Sequence, residues 1–127
     1  MKRILNTDPI GKYALQGYDP VAFHSPGKAV KANPYIFTEY AGYNFLFSSE
    51  ENKTAFIKDP EKYLPAFGGY CAFGIGLGVF FPVEIDTWEI IDGKLVLNYS
   101  HDIKAKFHED TKGNLQKAKE NWAKTEA

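Results

Sequence analysis

The sequence predicts a small α+β domain, and three observations carry that prediction. Two runs of β-branched and aromatic residues are each divided by a two-residue turn, at Ala41-Gly42 and at Asp92-Gly93, the spacing of a β-hairpin. Helix-capping patterns stand at Ser48 and Ser100, ahead of apolar residues at helical spacing. A chain of 127 residues is long enough for one hydrophobic core and too short for an enzyme with a separate cofactor-binding half. The expected arrangement is two antiparallel hairpins in one sheet, packed by short helices and followed by two C-terminal helices. It forms a single domain over residues 1–127, with 1–8 as a loose N-terminal segment.

Each element has its own signal. Up to Asn33-Pro34, turn formers at Asp8-Pro9, Gly11, Gly17, Asp19-Pro20 and Pro26-Gly27 punctuate short apolar pieces, which read as short strands and loops. Residues 35–40 and 43–47 form the first hairpin. Ser48 precedes Glu51 by three residues, a capping-box pattern, and opens a short helix over about residues 49–58 that Asp59-Pro60 stops. Pro60 suits a first helical position, so one more turn follows before Pro65. Gly68-Gly69 leads into a short buried helix over residues 70–77, whose small residues permit close backbone approach. Residues 88–91 and 94–99 flank Asp92-Gly93 in the second hairpin. Ser100 caps a helix bearing Ile103 and Phe107, and Gly113 separates it from a last helix bearing Leu115, Ala118 and Trp122. Both apolar stripes are expected to pack on the sheet.

Composition narrows the function. Hydrophobic residues at 44% and charged residues at 24% are the balance of a folded globular chain. Ten Phe, eight Tyr and two Trp make the core ring-rich and allow a pocket with polar-tipped aromatic walls. A net charge of -1 gives no electrostatic reason to expect nucleic acid or an anionic membrane as partner. The longest apolar stretch, residues 67–82, is shorter than the roughly 20 residues that span a bilayer. Five glycines interrupt it, so it reads as buried core and not as a membrane span. The opening Met1-Lys2-Arg3 is followed by Asn6, Thr7, Asp8 and Pro9 in place of an apolar run, so no signal peptide is expected in the chain.

The lone Cys71 excludes an internal disulfide and every zinc site that needs two thiolates. Gly74, Gly76 and Gly78 do not complete a dinucleotide fingerprint, because Val79 and Phe81 occupy the positions of the third glycine. No phosphate loop and no serine elbow is present. His101 and His108 share a helix face but lie about 10.5 Å apart along its axis, too far to share one ion, and read as surface or half-buried polar residues. His24 differs, standing in a loop dense in rings and polar tips where a neutral imidazole can bind metal or cap a turn. Cys71, in the first turn of a helix, is either a thiolate favoured by unpaired N–H groups or a small buried hydrophobe.

Four ordered blocks, Gly17-Tyr18-Asp19-Pro20-Val21-Ala22-Phe23, Phe56-Ile57-Lys58-Asp59-Pro60-Glu61-Lys62-Tyr63, Phe67-Gly68-Gly69-Tyr70-Cys71-Ala72 and Asp92-Gly93-Lys94-Leu95-Val96-Leu97-Asn98-Tyr99, resemble the YHS-domain family. The likeness is to its longer, often exported branch, which makes an exported mature form an expectation. The resemblance implies a small α+β domain related to metal-binding modules. The short metal-binding members carry two cysteines on the strand-to-helix turn, and aligning their closing Phe with Phe56 puts Ser48 and Asn52 at those positions. Those thiolate ligands are therefore missing here.

The leading expectation is a small non-enzymatic binding domain holding a copper or zinc ion, or a metal-containing ligand, near Cys71. His24 is the second metal donor, and Tyr18, Asp19 and Tyr70 line the site. Cys71 is expected in an aromatic enclosure of Tyr18, Phe23, Tyr63, Phe67, Tyr70 and Phe73. Two alternatives stand beside it: a protein-interaction module or homodimer with no ligand, and a thiol-based redox or enzymatic role for Cys71.

Overall fold

The computed structural model describes residues 5–7 and 13–126; the expected turns at Asp8-Pro9 and Gly11 lie outside them. The fold is α+β. Strand β1 (Asn33–Tyr40) pairs antiparallel with β2 (Tyr43–Phe47), Tyr40 opposite Tyr43 and Phe37 opposite Leu46, with a register shift between Asn33 and Phe37. Strands β3 (Glu89–Ile91) and β4 (Lys94–Val96) form the second hairpin. Both turns have two consecutive positive φ angles, 56° and 84° at Ala41-Gly42 and 51° and 78° at Asp92-Gly93, the type I′ geometry that matches strand twist.

The two hairpins stand as separate two-stranded sheets and do not join into the single sheet expected. Irregular segments take the bridging positions instead. Tyr13 bridges to Asn44 of β2, and Leu97, just past β4, bridges to Cys71.

Helix α1 (Glu50–Lys58) is capped by Ser49, whose side chain accepts from the Asn52 N–H. The capping box at Ser48 is thus one residue early, because the Ser48 side chain is engaged elsewhere. Helix α2 (Pro60–Tyr63) is the single turn expected after Asp59. Helix α3 (Ala72–Gly76) starts behind Cys71, which is its N-cap. Ser100 caps α4 (His101–His108) by accepting from the Ile103 N–H, as its spacing predicts. Gly113 does not separate the last two helices; α5 (Thr111–Glu126) begins before it, and Asp110 Oδ1 accepts from the Gly113 N–H at the helix start.

Three apolar clusters make the core. Phe45, Phe47 and Phe56 join β2 to α1 with Leu5, Val21 and Leu64. Each such ring, taken out of water, contributes roughly 1.5–3 kcal/mol. Alternation then divides the second hairpin. Leu95 and Leu97 face Leu15, Phe23, Cys71, Val83 and Ile85, while Val96 points the other way toward Phe67, Ile75, Phe107, Leu115 and Ala118. Helix α5 therefore packs chiefly on α3, where an apolar stripe finds apolar partners, and the second hairpin contributes Val96, with Ile91 packed against the cluster. Within the segment expected to be loose, Leu5 is buried and the Asn6 N–H donates to the Gly68 carbonyl at 2.7 Å.

The apolar stretch 67–82 is split. Its first half is core, but residues 77–82 are exposed, because α3 ends at Gly76 and the chain turns outward.

Candidate functional site

The most connected polar group is Asp19, fully buried at 0% exposure. Its position follows from local chemistry. Asp before Pro starts a turn, and Oδ1 accepts from the Val21 N–H at 2.8 Å and the Ala22 N–H at 3.2 Å. Oδ2 reaches across the fold, accepting from the Ser48 N–H and Oγ, both at 2.7 Å, and from Asn52 Nδ2 at 2.9 Å. Five hydrogen bonds thus satisfy the buried carboxylate, and they tie the 19–26 turn to the junction of β2 and α1. Ser48 Oγ and Asn52 Nδ2 both donate to this acid. The expected site residue Asp19 is therefore saturated by the protein itself.

Cys71 is also fully buried. Its N–H donates to the Phe81 carbonyl, its Sγ accepts from the Gly74 N–H at 3.4 Å, and its thiol lies 3.6 Å from Asn98 Oδ1. Asn98 Oδ1 also accepts from the Phe73 N–H, and its Nδ2 is buried without a partner. The sulfur thus stands in the cap position and not inside the first turn, because the helix begins at Ala72 and not at the expected residue 70. Of the expected aromatic enclosure, Phe23 is in its cluster with Tyr18 and Phe73 packed against it, joined by Trp88. Tyr63 belongs to the first cluster and Phe67 and Tyr70 to the third.

His24 lies in the turn that Asp19 organises, its N–H donating to the Val21 carbonyl. The ring meets Tyr63 edge-on with centroids 5.3 Å apart, and Nε2 is buried with no hydrogen-bond partner. Burial, then the ammonium groups of Lys62 and Lys94, hold its pKa below the ordinary imidazole value, so the ring is neutral. His24 and Cys71 share none of these partners. Tyr18 bridges to Lys31, whose ammonium lies 5.7 Å from the ring centre. Tyr70 packs edge-on against Phe80, and burial with a smaller contribution from Tyr43 raises its pKa. His101 and His108 are exposed, against Asp86 at 3.1 Å and Glu89 at 2.9 Å.

Sequence reasoning missed three polar participants: Ser48, Asn52 and Asn98. The Asp-Pro turn announced Asp19, but its long-range partners lie 29 and 33 residues away and have no local signature. A groove of about 410 Å³ also lies between α2, the second hairpin and α5, floored by Phe67, Ile91, Leu115 and Trp122 with Lys94 and Lys119 at its rim. None of the expected site residues lines it. Among the described residues, no three His, Cys, Asp or Glu side chains converge on one point.

These features define a small α+β domain in which Asp19, the buried acid among the described residues, ties its own turn to the junction of β2 and α1. Residues 21–67 match the family model of the YHS domain, so that stretch of the chain is similar to a YHS domain. That span holds Asp19's partners Ser48 and Asn52 together with His24, and ends just before Cys71. No curated protein and no solved structure matches the chain.

Proposed function

We propose that this chain is a small non-enzymatic binding domain that takes a soft metal ion, Cu(I) or Zn²⁺, at a labile site with His24 as its first donor. One observation carries the reading: His24 Nε2 is buried and unpartnered on a ring held neutral. A neutral imidazole with a free lone pair is the ligating form and needs no proton removed before metal binds. The YHS match supports it at the level of the family.

The donor set fits a labile site and not a closed structural one. With Ser48 and Asn52 turned to Asp19, no thiolate pair is available, and Lys62 and Lys94 oppose a cation beside His24. That opposition is weaker for a monovalent ion, which favours Cu(I). Cys71 is the second soft donor of the reading and the slower one, since its sulfur is sealed between Gly74 and Asn98. The same neighbours argue against thiol catalysis: an amide oxygen and a backbone N–H supply no base.

The test is titration of Cu(I) and Zn²⁺ into wild type, His24→Ala and Cys71→Ser, with bound metal read by elemental analysis. His24→Ala is expected to weaken binding at least about tenfold, with Cu(I) held more tightly than Zn²⁺ in wild type. Unchanged binding by His24→Ala would overturn the reading. Alkylation of Cys71 in the folded protein should be far slower than in denaturant.

A further inference from the structure

The segment after α3 is uncharged from Leu77 to Pro82, and its large side chains face solvent: Leu77 is 62% exposed, Phe80 47%, Phe81 42% and Val79 37%. An apolar loop of this kind is the exception on a folded surface. It is also a held loop. Its start is fixed by the Leu77, Gly78 and Val79 N–H groups, which donate to the Gly74 and Ile75 carbonyls, and its end by the Phe81 carbonyl, which accepts from the Cys71 N–H. Phe81 lies over Gly74, where a Cβ would come within 2.8 Å of its ring.

Behind the loop stands a second tier of rings with polar edges. Phe80 contacts Tyr70 at 5.0 Å and Trp122 at 6.2 Å between centroids, and Phe81 contacts Tyr99 at 5.8 Å. Lys117 of α5 stands at the base of the loop, its Cβ beside Gly76. Glu120, paired with Gln116, and Glu84 are the acidic neighbours. Exposed apolar side chains packed on Tyr and Trp rings, with a lysine at their base, are the residue types that meet the acyl region, the interface and the headgroups of a bilayer.

We propose that the loop of residues 77–82 inserts into the interface of a phospholipid surface and docks this domain there. A second copy of the chain is the poorer occupant. Six residues present on the order of a few hundred Å², short of the roughly 800 Å² per partner of a standard protein interface. Insertion is driven by the apolar side chains, so it does not need the net charge that the chain lacks.

The experiment is co-sedimentation of the full chain with vesicles of phosphatidylcholine alone and of phosphatidylcholine with phosphatidylglycerol. Wild type is expected on both, tighter on the anionic vesicles. Phe80→Ser/Phe81→Ser should lose roughly tenfold or more on each, with an unchanged circular dichroism spectrum showing that the fold survives. Lys117→Gln should lose only the anionic preference, roughly fivefold. Absence of wild type from both vesicles, or equal binding by the loop variant, overturns the proposal. A wild-type dimer that the loop variant converts to monomer, without vesicle binding, overturns it in favour of a second copy.

Discussion

Asp19 shows how one residue can look like a ligand and serve the fold. A buried carboxylate is costly unless its acceptor sites are filled, and here two backbone N–H groups from its own turn and three donors from Ser48 and Asn52 fill them. Asp19→Asn keeps the shape but turns an NH₂ toward some of those donors. Chemical denaturation should show a loss of about 3 kcal/mol, whereas a loss below 1 kcal/mol would mean the network is replaceable. Cys71 makes the complementary point. Its identity as the lone cysteine was plain, but its burial beside Asn98 was set by residues 27 positions away.

At the scale of elements, local signals were legible wherever they act within a few residues. The Asp92-Gly93 turn and the Ser100 cap fall where their residue types favour them, and the Ala41-Gly42 turn where its two-residue spacing does, since turn and cap energetics involve only near neighbours. Helix α3 was legible for a different reason and less fully. Five residues with two glycines do not hold a helix by propensity, and tertiary bonds supply the difference. Asn121 Nδ2, from α5, donates to the Ile75 and Gly76 carbonyls at 2.8 and 3.1 Å and so closes its C-terminal end. Asn121→Ala should cost about 1–2 kcal/mol in thermal or chemical unfolding, and hydrogen exchange should speed up first at α3. The error about Gly113 has the same origin: a glycine reads as a helix break until Asp110 is seen accepting its N–H.

For the molecule as a whole, His24 makes one contribution to acid stability. Its native pKa lies below the 6.5 of the unfolded chain, chiefly through burial, so the unfolded state binds more protons between the two values. Stability from this group is complete above about pH 6.5 and is lost as pH falls through the native value. Wild type should therefore lose stability on acidification from pH 7 through this window, and His24→Gln should flatten that slope; an identical slope in both would remove His24 as its cause. The sequence by itself determined the α+β class, the positions of both hairpins and most helix starts, because those depend on residues close along the chain. Tertiary structure alone decided that the hairpins stay in separate sheets and that Ser48 and Asn52 serve Asp19. It also decided that Cys71 is sealed while residues 77–82 face outward. Each of these outcomes depends on which distant surface reaches a group first, and composition carries no record of that.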